Sequence, residues 1–262
     1  TATETHKQIN FFFFLLSRKG NIMAKASVSR NHKFPSLNDL YFLPGGNPDL
    51  KNESGWTYDA GISFDFGSTK PFPFSIGGGV NWFDSHIDDW IIWLPTTKGF
   101  FSPRNVKKVH AYGIEGRLNM AFEPWKEWIF DINASYSWTP SINRGEKLSA
   151  ADQSVGKQLP YVPRHSASLT GRLSWKTWSF LYKWAYYSER FTMSSNDYTL
   201  TGNLPSYFMS NISLEKSLRF KPVDLRLKFA VNNLFNEDYL SVLSRPMPGI
   251  NFELFVSVTP RF

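Results

Sequence analysis

The sequence has 262 residues, enough for one large β domain or two ordinary domains. Its formal charge is +7, but the basic residues are scattered rather than clustered, so we expect no nucleic-acid partner. The chain contains no cysteine, which excludes disulfide frameworks and thiolate metal sites. Aromatic residues make up 17% of the chain, a high share for a soluble domain, because large rings belong in cores, interfaces or membrane belts.

The N-terminal segment 1–20 gives no clear pattern. Its apolar run, 11–16, is too short for a transmembrane helix, which needs about 20 residues, and no signal-peptide cleavage site follows it. The run fits either a strand or a sequence altered by an upstream reading-frame error. The first residue is Thr rather than Met, so we expect the chain to be a processed product or a fragment. A bilayer can also be crossed by closed β-barrels, whose backbone groups all pair internally.

The dominant period in 21–262 is two, which is the period of a strand with two unlike faces. In 109–122 the even positions are mostly apolar, and the odd positions are small, polar or charged. Many strands exceed the five or six residues that are usual in globular proteins and reach the 9–11 that a tilted membrane strand needs. We count about ten strands by this period, near 21–32, 53–66, 74–95, 105–122, 127–139, 164–176, 178–191, 206–219, 224–236 and 250–262.

The connections between these strands alternate in length. They are long at 33–52, 140–163, 192–205 and 237–249 and short at 123–126, 176–177 and 220–223, and only 67–73 and 96–104 are close in length. Outer-membrane barrels have this alternation, with short turns in the periplasm. The pattern therefore predicts an all-β fold: an antiparallel, up-and-down transmembrane β-barrel segment of about ten strands with long extracellular loops and short periplasmic turns. A soluble β-sandwich is the alternative.

Aromatic residues cluster at two levels, as in the two interfacial girdles of a barrel. Those at the short-turn end are Phe72, Phe74, Trp125, Trp128, Trp175, Trp178, Phe220 and Phe262, and those toward the long loops are Trp90, Trp93, Trp138, Tyr186 and Tyr187. The polar face also carries charge, which favours a wide, wet lumen and hence a larger parent barrel, because unpaired buried charge is costly. The charged residues are Glu115, Arg117, Asp131, Arg172, Glu215, Arg226, Lys228 and Glu253.

Two loop motifs resemble those of TonB-dependent receptors. The first is Phe-Pro-Ser-Leu-Asn-Asp-Leu-Tyr at 34–41, followed by Pro-Gly-Gly-Asn-Pro-Asp-Leu at 44–50 and by Glu53, with Asn52 where that family usually has Pro. The second is Asn-Asn-Leu-Phe-Asn-Glu-Asp-Tyr at 232–239. The run 245–249 is similar to the family's final loop, and Phe262 is similar to its C-terminal aromatic residue. The resemblance covers 21–262, which we interpret as the C-terminal part of a receptor barrel.

This resemblance implies an outer-membrane receptor for active uptake of a scarce nutrient of the cobalamin, siderophore or haem class. The implied partners are outer-membrane lipid, the N-terminal barrel half and plug of the same receptor, TonB and, as a further candidate, a surface lipoprotein. We see no plug and no TonB-binding box in the sequence, and the parent barrel has about 22 strands, so we expect no import by this chain alone. The alternative function is a structural or remnant barrel without transport. A plug encoded in frame upstream favours the receptor, and a true start at Met23 favours the remnant.

We expect no catalytic residues, no cofactor and no enzyme activity. Asp84, His86, Asp88 and Asp89 resemble a metal cluster, but acidic lumen residues on an upper strand explain them more simply, so we also expect no metal site. The loop motifs are expected to be structural. Ligand contacts are expected in the extracellular loops, from rings and hydrogen-bonding tips, because loops on a rigid scaffold carry specificity; the candidates are Asn47, Trp93, Tyr161, Tyr198 and Arg245.

Overall fold

The computed structural model describes residues 5–17, 20–96, 99–105, 108–147 and 149–260. Within them, eleven long strands form one antiparallel sheet in which chain neighbours are spatial neighbours. With the strands numbered in chain order, these eleven are β1 (Thr5–Ser17), β2 (Gly20–Lys33), β3 (Glu53–Ser68), β4 (Phe74–Asp88), β7 (Val109–Trp125), β8 (Trp128–Trp138), β10 (His165–Trp175), β11 (Trp178–Tyr187), β14 (Tyr207–Arg219), β15 (Val223–Asn232) and β18 (Asn251–Pro260).

The connections carry the remaining short elements. These are the helix α1 (Leu37–Tyr41) and the strands β5 (Ile91–Pro95), β6 (Phe101–Asn105), β9 (Ser141–Asn143), β12 (Arg190–Phe191), β13 (Asn203–Leu204), β16 (Leu240–Val242) and β17 (Arg245–Pro246). No helix in the described ranges is long and apolar enough to cross a membrane. The architecture is therefore the all-β, antiparallel, up-and-down sheet that the sequence predicts.

The strand register confirms the two-face prediction. Directly paired residues share a face, and the pairing sets Trp82 opposite Ile114 and Asn81 opposite Glu115. The apolar even positions of β7 thus continue across β4 and β8 as one surface, the outer face, and its odd positions continue as the other, the inner face. A wall with one apolar and one polar face suits lipid on one side and water on the other.

The charged side chains of the inner face are partly paired and remain accessible to solvent. Asp131 lies opposite Arg172, and Glu215 lies opposite Lys228. Arg226 Nε is also 3.4 Å from Glu215 Oε1, with the Arg226 side chain 64% exposed. These contacts fit a lumen wide enough for water to reach the charges, because such ions are expensive to bury without partners.

The alternation of connections is stronger than the sequence indicates. Asp89, at φ 57°, follows the end of β4, and the connection to β7 runs through 89–108 and contains the β5–β6 hairpin. The predicted strand 74–95 is therefore wrong beyond 88, and 105–122 begins only at Val109. A positive φ is uncommon outside glycine, although Asp tolerates it. The alternation of residues does not report this backbone conformation, so it could not place the end of β4 before Asp89.

The edges of the sheet indicate an open wall. Part of the N-terminal segment, β1, pairs along its whole length with β2 and adds a strand to those predicted within 21–262. In the described ranges β1 and β18 each pair on one side only, and apolar side chains of β18 such as Leu254 are mostly exposed. Unpaired edges are not tolerated in lipid, so this wall needs further strands beside it.

The aromatic levels are partly as predicted. At the short-turn end, Trp128 and Trp175 stack with their ring centroids 5.6 Å apart, whereas Phe262 lies outside the described residues. At the other end, Tyr187 faces inward opposite Tyr207, and Trp90 and Trp93 belong to the loop region, so these three do not form the outer girdle. The register places Trp138 and Tyr186 on the outer face, as predicted, together with five rings that the sequence analysis did not name: Trp56, Tyr58, Trp82, Tyr112 and Tyr136.

Protease added to intact cells is expected to cut within 140–163 and 192–205. Leu200 is fully exposed in the second loop, so chymotrypsin should cleave beside it, because exposed loop tips are preferred cleavage sites. Fragment masses locate the cuts. Cleavage confined to the short turns 123–126 and 220–223 would reverse the topology, and cells with a permeabilised outer membrane provide the comparison.

Candidate functional site

All five candidate ligand residues lie in the long connections at one end of the sheet. The structure brings them together as two separate groups and one isolated residue. Asn47 and Trp93 belong to the first group, built from α1 and the β5–β6 hairpin. Tyr161 and Tyr198 belong to the second group, around β12. Arg245 lies in β17, opposite Val242, and is exposed.

The first group is held by a capping box at the start of α1. Ser36 caps the helix and accepts a hydrogen bond from the Asp39 amide, and the Asp39 carboxylate accepts one from the Ser36 amide in return. The same carboxylate accepts a 2.9 Å hydrogen bond from Trp93 Nε1. The ring of Phe42 meets Trp93 edge-on at 5.8 Å. Asp39 therefore joins two loops that are far apart in the sequence.

Asn47 fastens the same two loops together. Its Nδ2 donates to Pro103 O at 3.1 Å, and its Oδ1 accepts from the Asp49 amide at 3.1 Å. Gly45 comes so close to the hairpin that a Cβ there would collide with Phe101 O, so only glycine fits this approach. Both ends of the Asn47 amide are thus occupied by the loop itself.

The environment of Asp39 favours its charged form. Burial raises the pKa of the carboxyl, but hydrogen bonds from Ser36 and Trp93 and the charge of Lys33 lower it more, so the pKa lies below its ordinary value of 3.8. A carboxyl with a lowered pKa stabilises the folded form above its ordinary pKa, and the contribution is lost as the pH falls through the folded value. Loop docking should therefore persist at neutral pH and weaken below about pH 4.

Replacing Asp39 with Ala is expected to undock the first loop without affecting the sheet. The variant keeps the Ser36 cap but loses the hydrogen bonds from the Ser36 amide and from Trp93 to the carboxylate, each worth about 1 kcal/mol, so amide hydrogen exchange in 37–47 should accelerate roughly tenfold or more. Hydrogen exchange with mass spectrometry measures this. Asp49→Ala, at an exposed carboxylate in the same loop, is the matched control, and equal protection in both variants would contradict the role of Asp39.

The second group centres on Phe191. Tyr161, at φ 60°, donates its backbone N–H to Phe191 O at 2.7 Å. The ring of Tyr198 meets Phe191 edge-on at 5.2 Å, and the Tyr198 hydroxyl donates to Glu189 Oε1 at 3.1 Å. This hydrogen bond and the charge of Glu189 raise the pKa of Tyr198. The group presents an exposed ring and a neutral hydroxyl tip, which can stack on and hydrogen-bond to a ligand.

A cleft lies beside the second group and is bounded by a neighbouring loop. It has a volume of about 830 Å³, and Glu189, Tyr198 and Leu240 contribute to its lining. Arg190 is buried and donates to Leu240 O at 2.8 Å and to Ser241 O at 3.3 Å. The loop 188–206 and the loop after β15 are thereby fixed to each other, so the cleft has a defined shape.

Comparison with known proteins identifies the barrel. Residues 18–234 match the sequence model of the family described as TonB dependent receptor-like, beta-barrel. The chain belongs to the TonB-dependent receptor family. The vitamin B12 transporter BtuB of Photobacterium profundum is 28% identical over 234 residues, which cover 84% of this chain and 33% of the relative.

Solved structures of TonB-dependent receptors share this fold. The copper transporter OprC superimposes with a TM-score of 0.64 and 16% identity, covering 94% of this chain and 38% of its own. The ferric-catecholate import receptor Fiu of E. coli K12 superimposes with a TM-score of 0.64 and 17% identity, covering 97% of this chain and 34% of its own. This chain therefore spans about a third of the length of the relatives that it matches.

The receptor motif at 232–239 forms the start of the last long loop. Asn233 is 1% exposed, and its side chain bonds to both ends of that loop through Glu237 and Pro248. Asn236 Oδ1 accepts from the amide of Ile250, one residue before β18, at 2.9 Å. The motif is therefore a structural clamp, as the sequence predicts for these motifs.

Asp84 lies on the outer face of the receptor wall, whereas the sequence predicts a lumen residue. The register sets Asp84 opposite Tyr58 and Tyr112, on the outer face, and sets His86 opposite His110. The strand extends beyond the apolar band, so its outermost outward positions can be polar. His110 was missed altogether, although it continues the even, outer-face row of β7. Asp39, Phe191 and Glu189 were also missed, and only Asp39 had a visible signal, the Ser-x-x-Asp capping pattern.

Proposed function

We propose that this chain forms part of the barrel wall of an outer-membrane receptor that imports a scarce nutrient with energy delivered through TonB. The observation that carries the proposal is the two-faced, open antiparallel wall whose sequence matches the receptor barrel family over 18–234. Lipid on the outer face, a plug and the rest of the barrel against the inner face and the edges, and TonB are the proposed partners. A surface lipoprotein is a further proposed partner at the long loops.

The nutrient class proposed first is a cobalamin, with siderophores and haem as the other members of the set. The cobalamin choice is supported by the sequence relative BtuB, which is named as a vitamin B12 transporter. The long loops suit a large ligand that carries both apolar and hydrogen-bonding groups, because they offer exposed rings beside polar tips. Pockets commonly combine apolar walls with a few polar groups in this way.

The ligand contacts are proposed at Tyr161, Tyr198 and Arg245. Tyr198 is 74% exposed and stands beside the cleft. Tyr161 and Arg245 are also exposed. Asn47 and Trp93 already use their polar groups to hold the first loop to the β5–β6 hairpin, so their proposed role is to shape the binding surface. Arg245 would supply a positive charge for a carboxylate or phosphate group of the ligand.

Uptake by the full-length receptor that carries this chain tests the function. A Gram-negative host without its own cobalamin receptor is supplied with labelled cyanocobalamin, ferric siderophore or haem, with and without functional TonB. We expect uptake of one class that requires TonB. If the barrel assembles correctly but imports and binds none of the three, the proposal fails and a barrel without transport remains.

Variants in the second loop test the ligand contacts. Tyr198→Ala should weaken ligand binding roughly tenfold, since one lost stacking or hydrogen-bond contact is worth about 1.4 kcal/mol. Met193→Ala, at an exposed side chain in the same loop that does not line the cleft, is the matched control and should bind normally. Equal affinity in the two variants would remove Tyr198 from the site without affecting the transport proposal.

A further inference from the structure

Two strands of the wall bring three metal-ligating side chains together on the outer face. Asp84 and His86 lie on β4, and His110 lies directly opposite His86 on β7. His86 Nε2 is 2.6 Å from Asp84 Oδ1, and His110 Nε2 is 2.9 Å from Asp84 Oδ2. The two imidazole rings stack nearly parallel, with centroids 4.3 Å apart and an interplanar angle of 11°.

The cluster has the chemistry of a transition-metal site. One ligand atom from each residue lies within 4.8 Å of the other two. Zinc–nitrogen and zinc–oxygen bonds are about 2.0–2.2 Å long, so three ligand atoms roughly 3.3 Å apart can share one ion in tetrahedral geometry. The carboxylate already lies close to both imidazoles, and modest rotations of the rings complete the set. Imidazole ligands favour zinc, copper or nickel over calcium and magnesium, which prefer oxygen.

The surroundings hold two ligands and leave the third accessible. Asp84 and His110 are about one-fifth exposed, whereas the His86 side chain is 59% exposed. Tyr112 packs against His110, with ring centroids 4.7 Å apart, and Trp56 lies opposite His86. Two ligands are therefore supported by packing, and one side of the site is open to solvent, where water can complete the coordination.

We propose that Asp84, His86 and His110 bind one divalent transition-metal ion, with Zn²⁺ as the reference ion. The ligands come from the last residues of β4 and the first residues of β7, which flank the loop 89–108. A bound ion would cross-link the two strands at the base of that loop, which carries the β5–β6 hairpin and Trp93. The site is on the outer face, so it is separate from the lumen and from the ligand contacts proposed above.

Metal titration of the purified full-length receptor that carries this chain tests the proposal. The receptor is prepared in detergent without a histidine tag, stripped of metal, and titrated with Zn²⁺ against a chromophoric chelator. We expect one Zn²⁺ site that depends on these three residues. Asp84→Asn and His110→Gln should each lower the affinity roughly tenfold or more, because each removes a ligand from a three-ligand site. The matched control is His165→Gln, since His165 is a half-buried histidine on another strand that contacts Tyr136, and it should bind Zn²⁺ like the parent receptor.

A footprint of the unaltered receptor keeps the test independent of variant folding. Diethyl pyrocarbonate modifies accessible histidines, and Zn²⁺ should protect His86 and His110 while leaving His165 and His32 reactive, as measured by mass spectrometry. Unchanged modification of His86 and His110 at saturating Zn²⁺ would overturn the proposal. So would equal zinc affinity in Asp84→Asn and the parent receptor, or binding of Ca²⁺ in preference to Zn²⁺; the three residues would then be a hydrogen-bonded trio only.

Discussion

Leu118→Arg is expected to abolish assembly of the barrel in a membrane. Leu118 lies in the middle of β7 on the outer face, opposite Gly78 on one side and Ala134 on the other. Neither neighbour offers a charge or a polar group. An Arg at the bilayer midplane costs about 2–4 kcal/mol on a barrel's lipid face, which is a large part of a typical stability of about 5–15 kcal/mol.

The matched control is Arg117→Leu, one residue earlier in the same strand. Arg117 lies on the inner face, opposite Gly79 and Ser135, and is exposed. Its loss removes a solvated charge and should change stability by about 0.5 kcal/mol or less. Heat-modifiable mobility on a gel reports assembly in cells, and urea titration in lipid vesicles reports the free energy of unfolding. If both variants fold equally well in lipid, the assignment of the two faces is wrong.

The faces could be predicted from sequence because each one borders a different environment. Along β7, alternate residues meet either the outer or the inner side, so a strict period of two appears in 109–122. The same rule fixes register, since a slip of one residue would exchange the faces. The break after β4 could not be predicted in this way. The apolar run 90–94 extends the predicted strand to 95, whereas the backbone conformation of Asp89 shows that the strand has ended.

The alternation of apolar and polar residues also does not show how far along a strand the apolar band ends. Asp84 and His86 carry the outer face beyond its apolar band, and their polarity therefore looked like that of the inner face. The register resolves the ambiguity because it pairs Asp84 with Tyr112, and His86 with His110. A sequence pattern divides the residues of one strand between two faces. The alignment of two neighbouring strands is seen only in the contacts between them.

Contacts between loops were the least predictable part of the candidate site. Trp93 was chosen as an exposed ring, but its indole N–H is bonded to Asp39 in another loop. Tyr161 and Tyr198 meet through Phe191, and no sequence spacing indicates that meeting. Arg245 stays apart from both groups. Periodicity shows on which face of a strand a residue lies. Loop docking depends on contacts between segments that are far apart in the sequence and have no periodic pattern.

Among the loop side chains, Asn233 is expected to contribute most to the stability of the fold. Its Nδ2 donates to Glu237 O at 2.8 Å and to Pro248 O at 3.3 Å, and its Oδ1 accepts from the Glu237 amide at 2.8 Å. Its own N–H donates to Asn211 Oδ1 at 2.8 Å. The residue is also at φ 50°, a conformation that Asn adopts more readily than most residues.

Asn233→Ala should therefore destabilise the barrel by about 2–5 kcal/mol, since it leaves buried polar groups without partners and places Ala in left-handed backbone. Asn233→Gly removes the same hydrogen bonds but tolerates the backbone, so it should be roughly 1 kcal/mol less harmful.

Asn232→Ala is the control. That residue has a side-chain bond to Asn251 at 2.9 Å, and its loss should cost about 1 kcal/mol. Urea unfolding in vesicles measures all three, and hydrogen exchange in 233–250 localises the effect. Because the clamp joins the end of β15 to the start of β18, its loss should loosen the last strand of the sheet before any other. An Asn233→Ala variant as stable as Asn232→Ala would show that the loop holds this strand without the clamp.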